Sequence, residues 1–447
     1  MIKFIVIVCF FMFFLFSTIY TIQNCLDFNF DNVYVDHNAS LNMGTGNITI
    51  EAWIRTSYIV TGNEWPNVVA KDTWGTRQGF NLFVANTSNK IAFQVFVNDI
   101  WYGVWGEVIN DGKWHHVVGR RTGNRLYVFK DGVQSGGWVQ AGSDGNVNVN
   151  DPLVIADASW GTSGHFIGMI DEVRVWNRSL SNEEIREMMF KELEGTEVNL
   201  QAYYQFNETS GDVLPDLTVN NNVGDVGGNP PWTASYAPLA SELLDSLYKI
   251  RGVWNAKTSH TSSIMTISDA DISGNNRIIF GHNSDTLAFN STNVPNNVIN
   301  RLSRLWRIEK YGNLIGDIIF DCTDIMSDDT YVLLVDDDGD FSNAEIYEGV
   351  IDSLDFLVDD HTFLHSYYYT LGISLPSPEN VIIHTQDDSV HISWNGVAEA
   401  NSYAIFSSTN PNEQSQNWTL EESGIADTTW TETASGAKKF YFVKAIN

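Results

Sequence analysis

Residues Gly168 to Ile185 read GMIDEVRVWNRSLSNEEI. Ile170, Val173 and Val175 are interspersed with polar residues in the manner of a half-buried strand, and Ser181 followed three residues later by Glu184 forms a capping box for a short helix. An alternating strand that runs straight into a capped helix, with no catalytic group in it, predicts the scaffold of a binding module. Asp171 and Glu172 are adjacent, so in a strand they face opposite sides and cannot work as an acid–base pair.

Working outward, LDFNFDNVYVD at Leu26 to Asp36, TIEAWIRT at Thr49 to Thr56 and DGKWHHVV at Asp111 to Val118 are further strand-like runs. RLYVFKDGVQSG, Arg125 to Gly136, reads as a hairpin turning at Asp131-Gly132, because such turns need positive φ. These segments, with LQAYYQFNETSGDVLPD at Leu200 to Asp216, resemble in order the laminin-G-like jelly roll of the concanavalin A superfamily. The expected fold class is therefore all-β: a concanavalin A-like jelly-roll sandwich over 25–238, then a second β-sandwich-like domain and a fibronectin type III-like domain.

The second, β-rich accessory domain is expected over 248–374, beyond a join marked by Pro230, Pro231 and Pro238. It resembles the β modules that accompany jelly rolls in large secreted bacterial surface proteins. Over 376–447, SVHISWNGVAEANSYAIFSS resembles a fibronectin type III domain with Trp394 as its core Trp and Tyr441 as a tyrosine-corner residue. The last strand of that family is missing before Asn447, which leaves truncation or a divergent end open.

The chain has 447 residues, 43% hydrophobic and 13% aromatic with only 18% charged, the composition of folded domains and not of a disordered chain. Its 55 acidic against 25 basic residues give a net charge of −30, which disfavours nucleic acid and anionic lipid and favours cations. Lys3 followed by the apolar run to Tyr20 reads as a signal peptide over 1–24, so export is expected, with membrane contact only through the leader if it is not cleaved. Cys25 and Cys322, the cysteines beyond the leader, fall in different expected domains, so no disulfide framework is predicted.

Jelly-roll glycoside hydrolases place acid and nucleophile alternately on one strand, and no such run occurs here. His115 and His116 are neighbours and fail as a metal pair by the same geometry, reading as one buried and one exposed strand histidine. No Gly-rich phosphate loop is present, so a nucleotide cofactor is not expected.

Calcium is the expected cofactor, since hard cations take carboxylate and carbonyl oxygens. The jelly-roll resemblance implies ligands at Asp27, Asn29, Asp157 and Asp171. Asn29 and Phe30 stand where that family favours Asp and Gly, which weakens the first ligand and removes the tight turn. A second place is VDDDGDFSNAE, Val335 to Glu345, where Asp336, Asp338 and Asp340 alternate like the first ligands of a calcium loop. It is not an EF-hand, and a solvated hairpin turn with Gly339 at positive φ explains it equally.

Aromatic rings stack on the apolar faces of sugars. Trp53, Trp114 and Trp176 lie in core strands and read as packing, whereas Trp65, Trp74, Trp101, Trp105, Trp138 and Trp160 lie near Gly, Asn and Asp in loops or edge strands. Five of these, Trp65, Trp74, Trp101, Trp105 and Trp160, are expected at a carbohydrate. The reading is a non-catalytic secreted or cell-surface adhesion protein whose partner is a glycan or a surface protein. The alternatives are a glycoside hydrolase, an accessory fragment of a larger secreted enzyme, or a structural stalk.

Overall fold

The computed structural model describes residues 23–73, 78–141, 145–158, 164–240, 244, 247–254, 259–325, 330–412, 418–434 and 439–447. The leader expected over 1–24 lies almost wholly outside the described residues. Strands dominate, all pairing antiparallel, and no described helix is long and apolar enough to cross a membrane.

The jelly roll is two facing sheets. The first orders Val133–Gln134, Arg125–Lys130, Trp114–Thr122, Ile48–Arg55, Ile167–Trp176, Asn24–Asn29 and Trp232–Ala234. The second orders Val213–Leu214, Gly224–Gly227, Asn32–Val35, Leu153–Ile155, Asn67–Thr73, Gln78–Val84, Lys90–Val97 and Ile100–Val108. Ile50, Ile54, Val117, Ile170 and Val173 from the first meet Phe80, Leu82, Phe93 and Val95 from the second, all fully buried. Each such side chain contributes about 1.5–3 kcal/mol on leaving water. The hairpin after Lys130 turns through Asp131 (φ 53°) and Gly132 (φ 74°), and Asp131 Oδ1 also accepts from the His116 N–H at 3.1 Å.

The strand Ile167–Trp176 delivers the chain into the helix Asn182–Met188, whose capping box is formed in both directions: Glu184 N–H to Ser181 Oγ at 3.1 Å and Ser181 N–H to Glu184 Oε2 at 2.7 Å. The strand is not unbroken. Its register against Ile48–Arg55 shifts between Asp171 and Arg174, and Glu172 takes φ 53°. This bulge keeps Ile170, Val173 and Val175 in the core and turns Asp171, Glu172 and Arg174 together onto the outer face, correcting the expectation that Asp171 and Glu172 face opposite sides.

That outer face is covered. Trp53 and Trp114 pack with Met189 and Phe190 after the helix, with Ala237, Leu239, Ala240 and Leu244, and with Ile250, Trp254 and Ile279 of the following sheets. The strands from Tyr248–Val253 to Tyr367–Ser374 form two further sheets around Trp306, Phe320, Leu333 and Tyr369. The last described unit is two three-stranded sheets, Ile382–Gln386, Ser389–Ser393 and Thr429–Thr433 facing Thr419–Ile425, Ser402–Ser408 and Phe440–Ile446, with Trp394, Tyr403 and Trp430 between them. Tyr441 donates its hydroxyl to the Glu432 carboxylate, so its recorded bond is not that of a tyrosine corner to the backbone.

Candidate functional site

The second jelly-roll sheet turns one face, with Phe80, Leu82, Phe93 and Val95, to the core and the other outward. Register places Asn67, Phe83, Ala92 and Trp105 in one row across four strands, Ala70, Asn81, Gln94 and Gly103 in the next, and Asp72, Gly79, Phe96 and Trp101 in the third. Trp101 and Trp105 are 51% and 37% exposed on the edge strand, their rings edge to face at 5.7 Å. Gly103 stands between them, and a Cβ there would meet the Trp105 ring at 3.0 Å, so the missing side chain is what lets the indole lie along the sheet. Trp65 extends the first row, its ring 5.8 Å from Phe83.

Beneath these rings runs a line of amides. Asn81 Nδ2 donates to Asn67 Oδ1 at 2.9 Å, and Asn67 Nδ2 donates to the Trp65 carbonyl at 2.9 Å. Asn81 Oδ1 is buried without a hydrogen-bond partner, an acceptor that a ligand hydroxyl or a water would satisfy. Thus Trp65, Trp101 and Trp105 share one face. Trp138 does not: it lies by the first sheet under the Arg125 guanidinium, 4.4 Å from its ring centre. Trp74 and Trp160 lie outside the described residues. Trp53, Trp114 and Trp176 are buried. Gln94, Asn81, Gly103 and Phe96 were not singled out from sequence, although the spacing of Trp101, Gly103 and Trp105 at alternate positions marks a common strand face.

A second concavity, about 1090 Å³, opens at the end of the first sheet among Asp27, Asn29, Asp31, Arg55, Tyr58, Met169 and Asn229. Arg55 Nε is held by the Gly112 carbonyl at 2.7 Å, and burial pushes the Asp27 carboxyl up against the pull of Arg55. Phe30, at the turn beyond Asn29, takes φ 65°, so the tight turn survives without glycine, contrary to expectation.

The residues do not fit a jelly-roll calcium. Asp171 is fully buried, accepting from Ser235 Oγ at 2.5 Å and from the Glu172 N–H at 2.9 Å, and burial together with the neighbouring Glu172 charge holds it well above the ordinary carboxylate range. Asp157 is engaged elsewhere by His165 at 3.1 Å and Asn32 at 3.4 Å. Among the described residues, the cluster of three His, Cys, Asp or Glu ligand atoms within 4.8 Å of one another is Asp336, Asp337 and Asp338. Asp340 is not in it: its carboxylate caps a 3-10 turn through the Ser342 N–H at 3.2 Å. Asp336 Oδ1 itself accepts from the N–H groups of Asp338 and Gly339, at 3.0 and 2.6 Å.

The buried titratable groups of the first sheet are committed to one another. Glu172 is bonded by the Arg174 guanidinium at 2.5 Å and the Tyr203 hydroxyl at 2.8 Å, and burial pushes its carboxyl up to about 7 in spite of Arg174. Asp171 and Glu172 share a face, but sealed from substrate. His115 and His116 are both buried, correcting the expected exposure of one: His115 lies between Asp131 and Asp111 at 3.0 and 3.1 Å, and His116 Nε2 is 3.4 Å from Glu51.

No curated protein matches the chain. Among solved structures, a candidate carbohydrate binding protein from Bacteroides ovatus aligns with TM-score 0.40 at 18% identity over 49% of this chain, and the chain spans 62% of that protein's length. The SAP-like pentraxin of Limulus polyphemus aligns at 0.31 and 14% identity, over 38% of this chain and 82% of its own. The CBM40 of the Ruminococcus gnavus IT-sialidase aligns at 0.30 and 13%, over 37% and 96%. Residues 251–364 match a domain of unknown function (DUF8202), and residues 29–186, which hold most of the two facing sheets and the start of the helix, match the Concanavalin A-like lectin/glucanases superfamily.

Proposed function

We propose that the chain is a secreted or cell-surface, non-catalytic binding protein whose concanavalin A-like domain holds a glycan on the outer face of its second sheet. The observation that carries this reading is the exposed Trp101–Gly103–Trp105 face, with Gln94 and the unpaired Asn81 acceptor in the adjoining row. A sugar presents an apolar ring face to stack on indole and hydroxyls for amides, and this surface offers both in adjoining rows. The net charge of −30 favours neutral over acidic glycans. The sheets beyond residue 248 serve as spacers or secondary contacts, the last of them as a fibronectin type III-like unit.

The hydrolase alternative needs two converging carboxylates, and the twelve positions of the three rows hold one, the buried Asp72. A glycan array with the wild type, Trp101→Ala and Trp105→Ala tests the proposal. Hits that vanish in both variants support it; no hit on any glycan leaves the stalk or a protein partner. The calcium expectation rests on the Asp336–Asp338 turn, and a melting midpoint unmoved by chelator removes it.

A further inference from the structure

We propose that His384 and His391 form a two-imidazole site for a divalent transition cation on the exposed face of the C-terminal sheet. The two residues are Cα partners on the antiparallel strands Ile382–Gln386 and Ser389–Ser393. Their rings stand 5.0 Å apart and within 17° of parallel, so both project from one side of the sheet. The other side carries Val390, Ile392 and Trp430 into the core, which leaves the histidine side to water.

The second observation is the orientation of His391. Its Nδ1 lies 2.9 Å from the hydroxyl of Thr431, its Cα partner on the third strand. A ligating histidine is ordinarily held in this way by a partner on its other ring nitrogen, which presents the Nε2 lone pair to the ion. Among the described residues the His384 ring makes no hydrogen bond, so its nitrogens are available. Two nitrogens at about 2.0–2.1 Å from one ion lie roughly 3 Å apart. Side-chain rotation alone brings the stacked rings to that separation, and water fills the open positions. Imidazole nitrogens suit copper, nickel and zinc and not calcium, and a chain of net charge −30 concentrates cations around itself.

The test is calorimetric titration of the full chain with Zn²⁺, Ni²⁺ and Cu²⁺ salts separately, beside His384→Gln, His391→Gln and the double variant. The expected result is one equivalent more in the wild type than in the double variant, tightest for Cu²⁺. Thr431→Val weakens it by about tenfold or more, through loss of the ring's partner. Because both rings are on the water side, the variants fold, and melting in metal-free buffer checks this. Broadening of the histidine ring proton signals by Cu²⁺ gives a second reading. Equal stoichiometry in wild type and double variant for all three ions overturns the proposal.

Discussion

The Trp101 and Trp105 indoles meet at 85° across Gly103, one ring along the sheet and the other walling it. Two perpendicular rings offer a corner, so a bound sugar stacks on one indole while its edge meets the other. Each of Trp101→Ala and Trp105→Ala is expected to weaken glycan binding by about 2 kcal/mol, roughly 30-fold, as for an aromatic anchor. Gly103→Ala pushes on the Trp105 ring and lowers affinity while the melting midpoint stays nearly constant, because the ring is part-exposed and yields. Array titration together with thermal melting separates the two effects.

Phe30 occupies the left-handed region at φ 65° with its side chain 63% exposed. A non-glycine residue there costs about 1–2 kcal/mol, and glycine returns about 0.5–1 through the freedom of the unfolded chain. Phe30 also loses a ring contact with His165 at 5.4 Å when replaced. Phe30→Gly is therefore expected to stabilise the protein by up to about 1 kcal/mol, read as a rise in the urea midpoint with unchanged slope.

The jelly roll was legible because its core strands alternate and its turns carry Asp-Gly signals such as Asp111-Gly112 and Asp131-Gly132. The capping box at Ser181 was legible for the same reason: both bonds are local. What escaped depends on partners far along the chain. Glu172 adopts positive φ with no glycine or asparagine to announce it, held by Arg174 and by Tyr203 from a neighbouring strand. His115 is buried because Asp131 folds back over it from the hairpin turn. Trp101 and Trp105 advertise a shared face by their spacing, whereas Asn81 and Gln94 join it only through register across strands.

Packing across the Pro-rich join was not legible either. Trp254 is 3% exposed, its ring 5.8 Å from Trp53 and 5.4 Å from Phe190, and its Nε1 donates to the Trp114 carbonyl at 3.3 Å. Arg251 adds an ion pair with Glu183 of the helix at 2.8 Å. Trp254→Ala removes a large ring from a packed cluster and is expected to cost about 3–5 kcal/mol. Because the cluster belongs to both bodies, the wild type should unfold them in one transition. Two resolved calorimetric transitions, unaltered by Trp254→Ala, refute the coupling.

Asp171 and Glu172 make stability fall as pH rises. Burial lifts both carboxyls, Glu172 to about 7 from an ordinary 4.5, so between those limits the folded state holds a proton that the unfolded state has released. Stability from this source is full below about pH 4.5 and is lost as pH passes about 7. Glu51 opposes it: despite its burial, His116 and Arg174 hold its carboxyl below the ordinary range, which favours folding above that range. Asp171→Asn keeps an acceptor for Ser235 without an ionisable group, and Glu172→Gln does the same for Tyr203. Either substitution is expected to flatten the decline between pH 5 and 8, measured as the urea midpoint across that interval; a slope identical to wild type in both variants excludes these carboxyls as its source.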